Sequence, residues 1–139
     1  MKRAKHRSNR KGVSMVELAL VLPLLSLLSL GIIEFGRAFW VMQVLTNAAR
    51  EGARVGALRD RDSSAVRNRV EGLLDDVSLP TDERLVVTAQ ADDSLSLANA
   101  EAGEGVSVYV GVNYADVSFL SPRFLSGVQL GAQSVMRRE

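Results

Sequence analysis

One long apolar run, residues 13–33, dominates the sequence, and Glu17 is its only charged residue. A helix of 21 residues spans roughly 31 Å at 1.5 Å per residue, which matches the hydrocarbon core of a bilayer. No other stretch of the sequence approaches this apolar length. We therefore predict a transmembrane helix over residues 13–35, with membrane lipid around it.

The charges on the two sides of this run predict its orientation. Residues 1–12 contain no acid, and Arg37 balances Glu34 on the far side. By the positive-inside rule, the basic leader stays in the cytoplasm and the rest of the chain is exported. The bases that set this topology are Lys2, Arg3, Lys5, Arg7, Arg10 and Lys11. A cleaved secretory signal peptide is the alternative, although the apolar run is longer than a usual signal and contains an acid.

The helical pattern continues beyond the membrane, so one helix is predicted from about Ser14 to Leu58. Residues 36–58 form its exported, amphipathic extension. Phe39 and Trp40 lie where aromatic side chains anchor a helix at the membrane interface. Polar residues at 43, 47, 50 and 54 line one face. The apolar residues recur at three- and four-residue steps: Phe35, Ala38, Phe39, Met42, Leu45, Ala49, Gly52 and Gly56.

Residues 59–139 are predicted to form a small extracytoplasmic α+β domain. A second helix follows the polar break at residues 59–64 and ends near Asp76. Its apolar repeat consists of Val66, Val70, Leu73, Leu74 and Val77. Three strands are predicted from β-branched and alternating residues, over residues 84–90, 106–114 and 128–136. Residues 91–103 are predicted to be a loop, and residues 118–126 are apolar but interrupted by Pro122. The fold class is therefore α+β, with a three-stranded antiparallel sheet.

Small residues of the first helix are predicted to lie against this sheet, because they allow close approach of the backbone. The packing residues are Ala49, Gly52, Ala53 and Gly56. Gly52 and Gly56 also have the GxxxG spacing by which membrane helices pair. Packing within the chain is the favoured interpretation, since these residues lie beyond the predicted membrane segment.

The composition excludes most enzyme chemistry. The chain has no cysteine, and its single histidine, His6, lies in the basic leader. Thiolate metal sites, a cysteine nucleophile and a Ser-His-Asp triad are therefore excluded. The adjacent carboxylates at residues 75–76 and 92–93 do not face each other on a helix. We expect no enzyme activity, no metal and no cofactor, and the leader lacks the aromatic residues that would stack on nucleic-acid bases.

Glu17 needs an explanation, because an ionisable side chain in a membrane segment is costly and commonly functional. It is the fifth residue after Gly12. Cleavage between Gly12 and Val13 would create an α-amine that could neutralise the Glu17 carboxylate of a neighbouring subunit. The alternative is a glutamate near the cytoplasmic interface whose side chain simply reaches water.

This pattern of basic leader, Gly12, Glu17 and apolar helix resembles the signal of type IV pilin-like proteins. Three stretches, residues 20–25, 31–38 and 47–54, are similar to TadE-like minor pseudopilins of the bacterial tight-adherence (Tad/Flp) pilus system. The resemblance implies cleavage by a prepilin peptidase after Gly12 and assembly of a pilus for surface adhesion. The implied partners are other pilins and pseudopilins and the assembly platform of the inner membrane. Leu18 after Glu17 and the exported domain differ from the short major pilins, which favours a minor pseudopilin.

Two other functions remain open. A single-pass membrane-anchored binding module would explain the helix and the domain, and a secreted protein would explain the leader. The N-terminal residue of the mature protein separates the three hypotheses. It would be Val13 for a pseudopilin, Met1 for a plain anchor and about Ile32 for a secreted protein.

Overall fold

The structure is a computed structural model that describes residues 10–59, 61–91, 97, 101–119 and 127–139. Its fold is α+β with a three-stranded antiparallel sheet, as the sequence predicts. Two compact units are present, Met1–Phe35 and Gly36–Glu139. The elements in chain order are α1 (Arg10–Gly56), α2 (Ser63–Asp75), β1 (Leu85–Ala91), β2 (Gly105–Asn113) and β3 (Gln129–Arg137).

The first unit contains the apolar part of α1. Its large apolar side chains are exposed on every face of the helix, including Leu20 at 74% and Leu24 at 70%. A helix that is apolar all round needs an apolar environment, which is a protein core or a membrane. Pro23 lies inside this part of the helix, where it removes one backbone hydrogen bond.

The second unit is built on the sheet, whose strand order is β1-β2-β3. Both strand pairs are antiparallel, and Val110 of β2 lies opposite Val87 of β1 and Ala132 of β3. Each strand lies within one residue of its predicted position. The alternation in β2 explains this agreement, because its four valines at even positions are buried on one face. We refer to residues 36–139 as the sheet domain.

Helices α1 and α2 supply the other half of the core. The second helix buries Val66, Val70 and Leu74. Its start is capped by Asp62, whose carboxylate accepts a hydrogen bond from the Ala65 N–H at 3.0 Å. From α1, the core takes one continuous stripe, which consists of Val41, Leu45, Ala48, Ala49, Gly52, Ala53 and Gly56.

This buried stripe contains only some of the apolar residues that recur along α1. Phe39 is 70% exposed and Met42 is 38% exposed, whereas Val41, Ala48 and Ala53 are buried. Phe39 and Met42 therefore belong to the apolar repeat of α1 but not to its buried stripe. Apolar residues occur on more than one face of this part of the helix, so periodicity alone does not identify the face that meets the sheet.

The outer face of the sheet carries one aromatic side chain. Tyr109 lies across Gly111 and its cross-strand partner Gly131. A Cβ built at Gly111 would lie only 2.7 Å from the Tyr109 hydroxyl oxygen, and one built at Gly131 would lie closer still. The two glycines therefore provide the space that the ring occupies, and the ring covers a stretch of sheet without side chains.

The last residues of the chain contact elements that are distant in sequence. The Glu139 N–H donates to the Ala57 carbonyl at 3.1 Å, and the Arg138 N–H donates to the Glu104 carbonyl at 2.8 Å. The Arg138 side chain also donates to the carbonyl of Leu97, a residue that is fully buried. Most of the predicted loop at 91–103 and of the segment at 118–126 lies outside the described residues.

Candidate membrane anchor and assembly site

Helix α1 is the one helix of the described residues that is long and apolar enough to cross a membrane. None of its apolar window is buried in the structure. The core helix of a soluble protein would bury this surface, since leaving large apolar side chains in water is unfavourable. The helix is therefore compatible with a membrane anchor.

Three of the predicted site residues lie near the start of α1. Gly12 has open space around it, Val13 is 59% exposed and Glu17 is exposed. Val13 and Glu17 are four residues apart, so they lie on the same face of the helix. Of the predicted topology residues, Arg10 and Lys11 begin α1, while Lys2, Arg3, Lys5 and Arg7 lie outside the described residues.

The predicted interfacial aromatics lie near the start of the second unit, which begins at Gly36. Phe39 is 70% exposed, and Trp40 is 41% exposed beneath the Arg37 guanidinium at 5.3 Å from the ring centroid. Stacking of a cation on an indole face is favourable. The Nε of Arg37 also donates to the Val117 carbonyl at 2.8 Å. Sequence reasoning missed this contact, because the two residues are 80 positions apart and share no motif.

The small residues of α1 lie within the core of the sheet domain. A Cβ built at Gly52 would lie 3.0 Å from a methyl group of Val70 and 3.1 Å from one of Val108. One built at Gly56 would lie 3.0 Å from a methyl group of Val106. Ala49 and Ala53 are fully buried beside them. The structure thus brings Ala49, Gly52, Ala53 and Gly56 against side chains of the same chain.

An open cavity of about 400 Å³ lies where α1 enters the sheet domain. Its charged lining residues are Arg37, Asp75, Arg84 and Asp116. Arg84 is already paired, because its guanidinium donates to both carboxylate oxygens of Asp82 at 2.7 to 3.1 Å. The hydrogen bond from Arg84 lowers the pKa of Asp82 to about 2. The sequence did not predict this cavity.

One wall of the cavity is the turn that ends α2. Ser78 has a φ of 56°, in the left-handed region. The Ser78 N–H donates to the Asp75 carbonyl at 2.9 Å, and the Leu79 N–H donates to the Leu74 carbonyl at 3.0 Å. These two bonds form a Schellman-type helix end, and the buried Leu74 and Leu79 supply its usual apolar contact. The turn therefore holds the Asp75 and Ser78 side of the cavity in place.

A charged cluster joins α1 to α2 on the surface. Glu51 accepts hydrogen bonds from Arg54 at 2.7 Å and from Arg69 at 2.9 Å. The bond from Arg54, followed by that from Arg69, lowers the pKa of Glu51 to about 2. The spacing of Glu51 and Arg54 predicts their pairing, but Arg69 belongs to another helix and could not be predicted from spacing.

We expect Glu51→Gln to weaken the sheet domain at neutral pH by about 1 kcal/mol, because both arginines are half exposed and water screens the pair. The folded-state pKa is lower than the ordinary value of 4.5, so the carboxylate stabilises the fold above pH 4.5. This contribution is lost as the pH falls from 4.5 to about 2. Chemical unfolding of the full chain in detergent at several pH values measures it.

The control for this variant is Glu71→Gln, which removes a single pair with Arg67 within α2. Its effect on the free energy of unfolding should be smaller, because Glu71 does not join two helices. Equal stability of Glu51→Gln and wild type at pH 7 would contradict the prediction.

A family model described as "TadE-like protein" matches residues 12–54. These residues are TadE-like. The match confirms the resemblance that the sequence motifs indicate, and it covers most of α1 from Gly12 onward. The TadE-like segment includes Gly12, Glu17, Arg37 and the packing residues Ala49, Gly52 and Ala53, but it ends before α2 and the sheet. No curated protein and no solved structure matches the chain.

Proposed function

We propose that the protein is a minor pseudopilin that takes part in assembly of a Tad/Flp pilus used for surface adhesion. The observation that carries the proposal is the TadE-like match, which begins at Gly12 and includes Glu17. The apolar, unburied helix after Gly12 supports the same function, because a pseudopilin is held in the membrane before assembly. The TadE-like family suggests involvement in a Tad pilus and association with its other components.

Maturation is the first step of the proposed function. A prepilin peptidase would cleave the bond between Gly12 and Val13 and release the basic leader. Gly12 has no Cβ, so the backbone at this bond can enter a narrow peptidase cleft. The products are a free leader and a chain whose first residue is Val13, with its α-amine at the start of the membrane segment.

Glu17 would act in the second step, the association of subunits in the membrane. Its carboxylate is the only acidic group between residues 13 and 33. Unpaired, this charge is costly in lipid, and the amine of a neighbouring Val13 would neutralise it. Pairing in a low dielectric then favours the assembled state over the separate subunit.

The proposed location is the bacterial inner membrane, crossed once. Six bases in residues 1–12 support a cytoplasmic N-terminus and an extracytoplasmic sheet domain. The proposed partners are the prepilin peptidase, other pilins and pseudopilins of the system, and the assembly platform of the inner membrane.

The test is the N-terminal residue of the mature protein, measured by intact mass in a strain with an active prepilin peptidase. We expect Val13 for the wild type. Gly12→Val should block maturation and leave the leader attached, because a β-branched side chain stands at the bond to be cleaved. The matched control is Gly31→Val, which has open space around it and should be processed normally.

A chain that keeps Met1 in this strain would contradict the proposal and favour a plain membrane anchor. A first residue near Ile32 would favour a secreted protein. Normal processing of Gly12→Val would show that the peptidase does not act at this bond.

A further inference from the structure

We propose that the cavity at the start of the sheet domain binds the headgroup of phosphatidylethanolamine, with the lipid phosphate on Arg37 and the lipid ammonium between Asp75 and Asp116. The inference rests on the membrane placement and orientation proposed above. It concerns the sheet domain, most of which lies beyond the TadE-like segment.

The position of Arg37 favours a lipid over a soluble ligand. Arg37 follows the proposed transmembrane segment by two residues, so its side chain is at the level of the headgroups when residues 13–35 span the bilayer. The neighbouring Phe39 and Trp40 are exposed aromatic side chains of the type found in this region of membrane proteins. Arg37 lines the cavity, so at least this part of the cavity is at the depth where headgroups are concentrated.

The geometry of Arg37 suits a phosphate ligand. A guanidinium has five N–H donors. Here the Arg37 Nε donates to the Val117 carbonyl at 2.8 Å, and the guanidinium carbon lies over the Trp40 ring at 5.3 Å from its centroid. These two contacts fix the side chain, and the Nη atoms provide the paired donors that bind phosphate oxygens. Arg37 is half-buried, which reduces the screening of this contact by water.

The other charges of the cavity select the headgroup. Arg84 is hydrogen-bonded to Asp82, and the nearby Asp116 also raises the pKa of Arg84. With Arg84 and Asp82 counted as a neutral pair, the charged lining groups that remain are Arg37, Asp75 and Asp116. The two carboxylates repel a second anionic group on a ligand whose phosphate binds Arg37. They attract a cationic group that lies next to that phosphate. The headgroup of phosphatidylethanolamine carries both charges, and its primary ammonium has three N–H donors for the carboxylates. Phosphatidylglycerol has no cation, and the choline of phosphatidylcholine has no N–H donor.

The size of the cavity agrees with this ligand. Its volume of about 400 Å³ lies at the small end of the range for small-molecule sites, roughly 300–1,000 Å³. A phosphoethanolamine group fits within that volume, and the open side of the cavity leaves a path for the glycerol and the acyl chains. The rigid turn at Ser78 keeps the Asp75 side in position.

The experiment is lipid competition on the full chain, followed by native mass spectrometry. Protein delipidated in detergent receives equal amounts of phosphatidylethanolamine, phosphatidylcholine and phosphatidylglycerol with matched acyl chains. We expect phosphatidylethanolamine adducts to exceed the others by about three- to fivefold, the size expected for partly exposed charge contacts. A second arm adds soluble glycerophosphoethanolamine, which should compete only weakly because it lacks the membrane-bound chains.

Three variants assign the effect to this cavity. Arg37→Gln should lower phosphatidylethanolamine adducts to the level of the other two lipids, whereas Arg50→Gln, on the exposed face of the same helix, should leave the preference unchanged. The double variant Asp75→Asn with Asp116→Asn should shift the preference towards phosphatidylglycerol. This double variant keeps the inference testable if Arg37→Gln disturbs folding, since Asp75 is exposed and Asp116 is half exposed.

Equal retention of the three lipids by the wild type would overturn the inference, as would a preference for phosphatidylglycerol. Full displacement by soluble glycerophosphoethanolamine would assign the site to a soluble ligand, and a co-purified polypeptide that blocks all lipid adducts would assign it to a protein partner. Recovery of the chain with the membrane fraction is measured separately. A membrane-integral chain without lipid preference contradicts only this inference, whereas a chain outside the membrane contradicts the proposed function.

Discussion

Gly52→Leu is expected to destabilise the sheet domain by about 3 kcal/mol, the upper end of the usual cost of overpacking a core. A single Cβ at this position would already lie 3.0 Å from Val70 and 3.1 Å from Val108. The remaining three carbons of leucine have no space unless α1 moves away from the sheet or α2. Such a loss is a large part of the stability of a small domain, about 5–15 kcal/mol. Chemical unfolding of the full chain in detergent measures the change.

The matched control is Gly72→Leu, because Gly72 lies in α2 with open space where its Cβ would be. This variant should be slightly more stable than wild type, by about 0.5–1 kcal/mol, since leucine forms helices better than glycine. Opposite signs for the two variants would show that close packing, and not helix propensity, requires glycine at position 52. A stable Gly52→Leu protein would mean that α1 and the sheet are not in the contact described here.

Glu17→Ala is expected to abolish recovery of the protein with pilus-assembly components, while insertion into the membrane stays normal. Removal of a carboxylate from an apolar helix makes insertion easier, by up to about 3 kcal/mol at mid-membrane. In the proposed assembly, however, it leaves the Val13 amine of a neighbouring subunit without a partner in low dielectric, which is strongly unfavourable. Co-purification from detergent extracts, compared at equal membrane levels, is the measurement.

Two further variants make this result specific. Glu17→Asp keeps the charge on a shorter side chain and should retain part of the recovery. Ser26→Ala removes a polar group elsewhere in the same apolar run and should retain all of it. Wild-type recovery of the Glu17→Ala protein would mean that the carboxylate has no role in assembly and would favour the plain membrane anchor.

The parts of the fold that follow from local pattern were predictable. The valines of β2 alternate between buried and outer positions, so both the strand and its buried face could be read from the sequence. Asp62 precedes the apolar repeat of α2 and caps it, as the polar break suggested. These features depend on neighbours within a few residues, which the sequence displays directly.

The parts that depend on distant residues were not predictable. The contact of Arg37 with Val117, and the lining of the cavity by Asp75, Arg84 and Asp116, join segments that have no common motif. Periodicity also did not identify which apolar residues of α1 are buried, because Val41 and Leu45 lie in the core whereas Phe39 is exposed. The position of Tyr109 over Gly111 and Gly131 depends on strand register, which pairs residues from two strands.

Trp40, whose ring lies beneath the Arg37 guanidinium, is the only tryptophan of the chain. This has a consequence for the fluorescence of the protein. Light absorbed near 295 nm excites indole and not tyrosine, and the emission of the unmodified protein therefore comes from one known position. That position is the first turn of the sheet domain, beside the cavity and directly after the proposed membrane segment. The wavelength and quenching of this emission report the polarity and the water content at that boundary. The protein thus contains an optical probe at the end of the proposed membrane segment.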